Sequence, residues 1–240
     1  MKKIFISLLL ITTIGVSAQK ETYKIADGVI THQDLFNASM VEGVSCFRIP
    51  AIVTAPNGDL IAAIDERVPN CGDLNRSGDI NIVVRRSADN GKTWSGIETV
   101  VNFPLGLSAS DPSMIVDRDT KEIILFYNYM DYEKERDIYY LHVVKSKDNG
   151  KTWSKPEDIT KQIAKPEWHK DFKFITSGRG IQTKDGKLLH TLVNLSKGLF
   201  IFGSDDHGKT WYFIDTPIKP ADESKIIELA DGTWMVNARV

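Results

Sequence analysis

The sequence predicts an all-β protein of the β-propeller class, built from four-stranded antiparallel units. The first observation is an octapeptide of the form Ser-x-Asp-x-Gly-x-Thr-Trp, which occurs at residues 87–94, 146–153 and 204–211. The second is its spacing, since Ser87 to Ser146 is 59 positions and Ser146 to Ser204 is 58. A repeat of this length is about right for a propeller blade. The third is that short apolar runs alternate with Gly, Asn and Asp turns, without a helical period.

Residues 1–18 have the features of an export signal. Lys2 and Lys3 precede an apolar run over residues 4–16, and Val16-Ser17-Ala18 is a small-residue cleavage site. The run is too short to span a bilayer, so the prediction is export to the periplasm, cell surface or medium rather than a membrane span. Loss of the two lysines changes the formal charge from −2 to −4, which argues against a nucleic-acid partner.

The remaining chain divides into a polar lead-in, residues 19–46, and the repeat region, residues 47–240. Cys46 and Cys71 are the only cysteines of the chain. Export permits a disulfide, but two cysteines do not make a disulfide framework. The sequence leaves the pairing open and favours two partly buried thiols.

The octapeptides divide the repeat region into units of four predicted strands. The first unit has strands at 47–54, 60–66, 79–87 and 95–101, and the second at 112–117, 122–130, 137–146 and 154–160. The third has strands at 172–183, 187–194, 199–204 and 211–216, and the fourth has only 225–229 and 233–240. Four antiparallel strands repeated radially make a propeller, of which about three and a half blades are present.

Each octapeptide, called here an Asp box, falls between the third and fourth strands of its unit. Its glycine supplies the positive φ of a tight turn, its aspartate bonds neighbouring amides, and its tryptophan packs between sheets. A role in folding is therefore favoured over catalysis. The structural residues predicted on this basis are Asp89, Gly91, Trp94, Asp148, Gly150, Trp153, Asp206, Gly208 and Trp211.

The turns also indicate where a site would lie. In each unit, suppose that the turn between strands one and two and the turn between strands three and four lie on one face of the propeller. The starts of the first strands, the ends of the second strands and the loops between strands two and three then lie on the other face. A single charge at a strand end is usually surface charge. Several charged residues on one face, however, indicate a site. The residues predicted on this face are Arg48, Arg67, Asp73, Asp111, Arg179, Glu223 and Arg239.

Phe47-Arg48-Ile49-Pro50 followed by the Asp boxes resembles the bacterial sialidase (neuraminidase) family of six-bladed propellers. The resemblance extends through residues 65–73, 110–112, 223–229 and 237–239. It implies a retaining exo-α-sialidase, a glycoside hydrolase that releases terminal sialic acid from glycoproteins, glycolipids or oligosaccharides.

The resemblance also implies roles for the charged residues. Arg48 and Arg239 match two of three arginines that hold the sialic acid carboxylate, for which a guanidinium fork is well suited. Arg67 and Asp111 match groups that contact the 4-hydroxyl side of the sugar. Asp73 matches the general acid/base, with Asp79 as the alternative.

The nucleophile of this family is a tyrosine, which needs a base. Glu223 matches that base, and Glu228 is the alternative. The third arginine and the nucleophile have no match in these 240 residues. The expectation is therefore an inactive N-terminal portion of such an enzyme.

The second-unit tyrosines do not match the nucleophile's motif: Tyr127, Tyr129, Tyr139 and Tyr140 are interpreted as packing or pocket-wall residues. Tyr129 and Trp168 are candidates for an N-acetyl pocket. No cofactor or metal is implied, because the five histidines lack ligand spacing. Two alternatives stay open: a non-catalytic Asp-box propeller that binds glycan or protein, and a propeller glycosidase acting on neutral polysaccharide.

Overall fold

The computed structural model describes residues 20–25 and 28–240, with only the backbone described before residue 32. The export signal predicted at residues 1–18 lies outside the described residues. The chain divides into two compact units, Met1–Phe36 and Asn37–Val240. In the first unit, β1 (Lys20–Ile25) and β2 (Gly28–Gln33) pair as an antiparallel hairpin within the segment interpreted above as a polar lead-in.

The second unit begins with a four-stranded antiparallel sheet, sheet 1, in the order β3-β4-β5-β6. Its strands are β3 (Cys46–Thr54), β4 (Leu60–Arg67), β5 (Ile80–Ser87) and β6 (Glu98–Val101). Short 3₁₀ helices precede it at Ala38–Met40 and interrupt the β4–β5 loop at Leu74–Arg76. This sheet corresponds to the first predicted unit.

Sheet 2 follows with the same antiparallel order. Its strands are β7 (Leu107–Val116), β8 (Ile123–Asp131), β9 (Tyr140–Ser146) and β10 (Glu157–Asp158). The fourth strand is much shorter than the predicted 154–160. The chain turns instead into helix α1 (Thr160–Ile163) and a 3₁₀ helix at Pro166–Trp168, whose apolar side chains join the core.

Sheet 3 shows the largest departure from the predicted strands. The segment 172–183 forms β11 (Lys173–Ile175), β12 (Gly178–Arg179) and β13 (Ile181–Gln182) instead of one strand. β11 and β13 pair with β14, whereas β12 pairs in parallel with β7 of sheet 2. Gly180 allows this crossing, because an added Cβ would lie 2.5 Å from the Leu189 carbonyl oxygen. The sheet continues with β14 (Leu188–Asn194), β15 (Gly198–Ser204) and β16 (Tyr212–Phe213).

The last sheet of the described chain is a two-stranded antiparallel pair, sheet 4. It consists of β17 (Ser224–Glu228) and β18 (Trp234–Ala238). In sheets 1, 3 and 4 the turn between the first two strands of the predicted unit has a glycine with positive φ, at Gly58 (92°), Gly186 (90°) and Gly232 (87°), whereas in sheet 2 Lys121 (64°) has the positive φ.

The hydrophobic core lies between neighbouring sheets. One cluster joins sheets 1 and 2 through side chains such as Ile61, Val84 and Leu125. A second joins sheets 2 and 3, where the buried ring of Phe126 packs edge-on against Phe202 and Trp211. β8 and β14, in sheets 2 and 3, are buried along most of their length because these sheets pack against neighbours, whereas β18 of sheet 4 has no buried position.

The Asp boxes close the β5–β6, β9–β10 and β15–β16 connections through their own side chains. In the first box Asp89 Oδ1 accepts from the Thr93 amide at 2.8 Å and Oδ2 accepts from Thr93 Oγ1 at 2.6 Å. Ser87 Oγ accepts from the Gly91 amide at 2.8 Å. The other two boxes repeat these bonds with Asp148 and Asp206. The box glycines have φ of 81°, 76° and 73°, a region that favours glycine.

The boxes also link neighbouring sheets. Arg86, at the end of β5, donates from Nη1 to the carbonyl oxygen of Gly150 at 2.7 Å, in the box of the next unit. Lys145 of β9 donates in the same way to Gly208 of the third box. Each box therefore closes its own turn, and the second and third boxes also receive a cation from the preceding sheet.

The first strands of sheets 1 and 2 carry a bulge at the same place. The register shifts between Arg48 and Ala51 in β3 and between Ser110 and Ser113 in β7. Ile49 has φ of 59° and Asp111 has φ of 63°, each immediately before a proline. A β-branched residue with positive φ is strained, and bulges of this kind redirect side chains near functional sites.

Candidate active site

The bulges border a cavity of about 500 Å³, called here the first cavity. It is lined by residues that are distant in sequence, including five of the predicted site residues: Arg48, Asp73, Asp111, Glu223 and Arg239. They come from sheets 1, 2 and 4 and from the β4–β5 loop. Tyr139, Phe172 and Phe174 supply aromatic wall on another side.

Asp73 lies between two guanidinium groups. Its Oδ1 accepts from Arg48 Nη1 at 3.0 Å and from Arg67 Nη1 at 2.9 Å. The Asp73 side chain is 66% exposed, whereas that of Arg67 is 1% exposed. The hydrogen bond from Arg67 and the charge of Arg48 hold the pKa of Asp73 below its ordinary value, against burial, which raises it. Asp73 is therefore ionised in this arrangement at neutral pH.

A disulfide joins Cys46 to Cys71, so the alternative favoured by sequence, two separate thiols, is wrong. Cys46 lies opposite Arg67 in the β3–β4 register, which brings the start of β3 beside the loop that follows β4. The Cys71 carbonyl oxygen accepts from Arg48 Nη1 at 3.0 Å. The bridge thus fixes the loop that carries Asp73 against the strand that carries Arg48.

Asp65, which sequence reasoning passed over, lies beneath this group with no exposed surface. Its Oδ2 accepts from Arg67 Nη2 at 2.8 Å and from Ser110 Oγ at 2.6 Å, and its Oδ1 accepts from the Asp111 amide at 2.9 Å. Burial and the charge of Asp111 raise the pKa of Asp65 to about 7, while Arg67 lowers it. Asp65 therefore orients both Arg67 and Asp111. Strand alternation was the available signal, because residues i and i+2 share a face.

Asp111 faces the first cavity from the bulge in β7. Its Oδ2 accepts from Asn128 Nδ2 at 3.1 Å. Burial raises its pKa, against the lowering effect of Asn128 and of the Arg67 charge. The site therefore holds two carboxyl groups with opposite shifts, since the pKa of Asp73 is lowered and that of Asp111 is raised.

Sheet 4 contributes an arginine that is paired twice. Arg239 Nη2 lies 2.6 Å from Asp222 Oδ2, and Nη1 lies 2.9 Å from Glu223 Oε2. The hydrogen bond to Asp222 and the charge of Glu223 raise the pKa of Arg239. Asp222 was also passed over in the sequence, although it directly precedes Glu223.

Other sequence candidates lie outside the first cavity. Arg67 does not line it and reaches it only through Asp73, and Arg179 is exposed elsewhere. Trp168 is 4% exposed and packs against Phe200 and Phe213, and Tyr129 stacks on His142, so neither lines this cavity.

Asp79, the alternative general acid, and Glu228, the alternative base, form hydrogen bonds elsewhere. Asp79 accepts from Asn81 Nδ2 at 3.3 Å, and Glu228 accepts from the Lys184 amide at 2.8 Å. Neither lines the first cavity. Glu223 directly precedes β17 and Glu228 is its last residue, so the strand separates the candidate base from its alternative.

Asp117, Asp119 and His207 form the only close group of three potential metal ligands in the described part of the chain. Asp117 Oδ2 lies 2.8 Å from His207 Nδ1, and its Oδ1 accepts from Gln182 Nε2 at 2.9 Å. These bonds join a turn of sheet 2 to the third Asp box. The group lies outside the first cavity and is explained by the turn that it connects.

The fold and the site define a member of a known class. A family model described as a BNR repeat-like domain matches residues 49–239, and the chain belongs to that family. The relatives found by sequence are sialidases. A sialidase of Micromonospora viridifaciens is 33% identical over 234 residues, which cover 87% of this chain and 35% of the relative. A sialidase of Bacteroides fragilis is 29% identical, covering 81% of this chain and 40% of the relative.

Solved structures agree with this assignment. The Hadza microbial sialidase Hz136 superposes with a TM-score of 0.76 at 27% identity, over 90% of this chain and 47% of that chain. The intramolecular trans-sialidase from Ruminococcus gnavus gives a TM-score of 0.71 at 20% identity and supports the fold alone; it covers 85% of this chain and 68% of that one. This chain thus spans well under half of the two bacterial sequence relatives. Among the residues described, no helix is long and apolar enough to cross a membrane.

Proposed function

We propose that the chain is the N-terminal portion of an exported, six-bladed retaining exo-α-sialidase, which removes terminal sialic acid from glycoproteins, glycolipids or oligosaccharides. The observation that carries the proposal is the first cavity, where Arg48, Asp73, Asp111, Glu223 and Arg239 converge from separate sheets. A purely structural or scaffold protein has no need for such a group. The relatedness to sialidases supports the same conclusion.

Arg48 and Arg239 are proposed to bind the sialic acid carboxylate. Both guanidinium groups border the first cavity, and their side chains are 42% and 62% exposed. A guanidinium presents paired donors that match a carboxylate. Each also pairs with a protein carboxylate, so a bound sialic acid competes with Asp73 for Arg48 and with Asp222 and Glu223 for Arg239.

This competition for Arg48 explains how Asp73 would become able to donate a proton in its proposed role as general acid. Its pKa is held low by Arg67 and Arg48. When the substrate carboxylate engages Arg48, the hold of that arginine on Asp73 weakens, and the pKa of Asp73 rises toward the range that proton donation requires. The same carboxylate then accepts a proton from water in the second half of a retaining reaction.

Glu223 is proposed as the base for a tyrosine nucleophile. It lines the first cavity, and its Oε2 lies 2.9 Å from Arg239 Nη1. Neither that tyrosine nor a third arginine is assigned among these 240 residues. The 240-residue chain is therefore expected to bind sialic acid weakly and not to hydrolyse sialosides.

Binding of N-acetylneuraminic acid to the 240-residue chain tests the carboxylate assignment. The acid should shift the NMR signals of the Arg48 and Glu223 amides in a saturable way, and its methyl ester should bind about tenfold more weakly. Arg48→Ala should reduce the difference between acid and ester, because only Arg239 remains to bind the carboxylate, whereas Arg179→Ala, which alters an exposed arginine outside the cavity, should preserve it. Equal affinity for acid and ester in the unmodified chain contradicts the proposal.

A further inference from the structure

A second cavity, of about 350 Å³, lies apart from the charged site. Its wall includes Tyr140, Asp158, Lys161, Lys165, His169 and Lys173. Only Tyr140 was given a role from the sequence, as a packing or pocket-wall residue, and the proposed reaction does not use this group. The volume is within the range of small-molecule sites.

The two cavities lie on opposite sides of the same backbone segments. Tyr139 lines the first cavity and Tyr140 the second, while Phe172 and Phe174 line the first and Lys173 the second. Successive side chains of an extended segment point to opposite faces. The second cavity is therefore a separate compartment that shares a wall with the first.

Lys173 is the unusual feature of the second cavity. The residue is 1% exposed. Within the described chain, the only hydrogen-bond partner of its side-chain amine is the His169 carbonyl oxygen, at 3.2 Å from Nζ. No described carboxylate forms a salt bridge with it; Asp171 and Asp158 act on it only from a greater distance. An ammonium group has three donors, so two are without a protein partner.

A buried ammonium without a counter-ion is costly. Burial accordingly lowers the pKa of Lys173, against the charges of Asp171 and Asp158. A bound anion would remove this cost by supplying both the missing charge and the missing acceptors. The bond to the His169 carbonyl oxygen uses one N–H group of Lys173, and a methionine would fill the same volume without the cost of burying an ammonium group.

The other charged groups in the wall of the second cavity indicate which class of anion would bind beside Lys173. Lys165 Nζ is already paired with Asp215 at 2.7 Å, and Asp158 Oδ1 accepts from the Thr160 amide at 2.8 Å. Lys161 is exposed and can attract an anion from solvent. One buried donor group among the hydrocarbon of Ala164, Pro166 and the Tyr140 ring suits a monoanion with an apolar body better than phosphate, which needs several converging donors.

We propose that the second cavity binds a small organic carboxylate, whose oxygens accept from the two free N–H groups of Lys173 while its apolar body lies against Tyr140, Ala164 and Pro166. The proposal does not depend on sialidase activity or on the contents of the first cavity. It assigns a second ligand site to the protein.

An NMR titration of the full 240-residue chain with sodium benzoate tests this assignment. Benzoate should produce saturable shifts at the Tyr140, Thr160 and Lys173 amides, and Arg48→Ala, which alters the proposed carboxylate-binding group of the first cavity, should leave these shifts unchanged. Lys173→Met should weaken binding about tenfold or more. The matched control Lys170→Met, which alters an exposed lysine outside the cavity, should bind as the unmodified chain does.

A second variant tests the same site if Lys173→Met fails to fold. Lys161→Glu changes an exposed side chain at the cavity wall and should weaken benzoate binding several-fold, whereas Lys155→Glu should not. The proposal is overturned if benzoate leaves the cavity amides unshifted or if folded Lys173→Met binds it equally well. It is also overturned if benzyl alcohol or inorganic phosphate binds as tightly as benzoate.

Discussion

Asp65, which was not singled out from the sequence, connects two residues that were, Arg67 and Asp111. It receives hydrogen bonds from Arg67, Ser110 and the Asp111 amide, and it has no exposed surface. Arg67 in turn donates to Asp73. The position of the candidate acid therefore depends on a buried carboxyl group that does not line the first cavity.

Replacement of Asp65 tests this dependence. Asp65→Asn should lower the free energy of unfolding by about 3 kcal/mol, because it removes the buried carboxyl partner of Arg67 and leaves only Asp73. Urea unfolding followed by circular dichroism measures the change. Glu42→Gln, at an exposed position, is the control and should change stability by less than about 0.5 kcal/mol. An equally small effect of Asp65→Asn would show that the pair does not stabilise the fold.

The proposed acid role of Asp73 makes a prediction about leaving groups. In a hydrolytically active polypeptide that contains these residues, Asp73→Ala should slow alkyl sialosides about a hundredfold more than aryl sialosides, because a good leaving group needs little protonation. The measurement is kcat/KM on both substrate types. Asp79→Ala, at the alternative acid, should leave the ratio unchanged. Equal losses on both substrates for Asp73→Ala argue against the acid role.

At the scale of elements, the loop between β4 and β5 is held by a covalent bond as well as by ion pairs. The Cys46–Cys71 disulfide closes a loop with a sequence separation of 25. Replacing both cysteines with serine should cost about 3 kcal/mol of stability, since the unfolded chain regains the freedom of that loop. Urea midpoints with and without dithiothreitol test this. The reductant should lower the midpoint of the unmodified chain and leave the double variant unchanged; insensitivity of both would contradict a stabilising bridge.

The Asp boxes predict how the fold responds to acid. Hydrogen bonds from Thr93 and Thr152 lower the pKa of Asp89 and Asp148 from 3.8 to about 2; for Asp206 burial raises the pKa, but the bonds from Thr210 and Ser204 bring it to about 2 as well. A pKa that is lower in the folded state contributes stability above the unfolded value of 3.8. That contribution is lost as the pH falls toward 2.

Stability should therefore decline between about pH 4 and pH 2. Urea midpoints across this range measure the decline. Asp206→Asn should lower the midpoint at neutral pH and make the decline shallower, because one of the titrating carboxylates is gone. A variant that loses stability with the same slope as the unmodified chain would contradict a contribution from this box.

At the scale of the whole molecule, successive sheets are joined by shared cores. Phe126 of β8 has no exposed surface and contacts His190, Phe202 and Trp211 of sheet 3. Loss of this ring therefore weakens the junction of two sheets and not one sheet alone. Sheets that share a core in this way should unfold together.

Phe126→Ala should cost about 3–5 kcal/mol through lost burial and the cavity it leaves. Tryptophan fluorescence and far-ultraviolet circular dichroism should report the same urea midpoint, as expected of a cooperative transition. Leu105→Ala is the control, because Leu105 is 77% exposed. Separate transitions by the two probes would indicate that the sheets unfold independently.

Much of the strand order was predictable because the signals are local. The turns at Gly58 and Gly232 and the three Asp boxes are encoded within a few residues, and they divide the chain between sheets. The break of 172–183 into three strands was not predictable, because β12 leaves sheet 3 to pair with β7. The strand predicted at 154–160 is longer than the observed β10. Apolar residues after 158 instead belong to helix α1 and to the residues around it, and they pack in the core.

The all-β class, the four-stranded repeat and five of the seven charged residues expected on one face were predictable from the sequence by itself, because turn chemistry and hydrophobic alternation act over short distances; Arg67 and Arg179 do not line the first cavity. Only the tertiary structure decided which charges meet. Asp65 with Ser110 and Asp111, Arg239 with Asp222, and Cys46 with Cys71 are contacts whose partners are separated along the chain. The burial of Lys173 beside a second cavity belongs to the same class, since the free energy of a charge depends on neighbours that the local sequence does not specify.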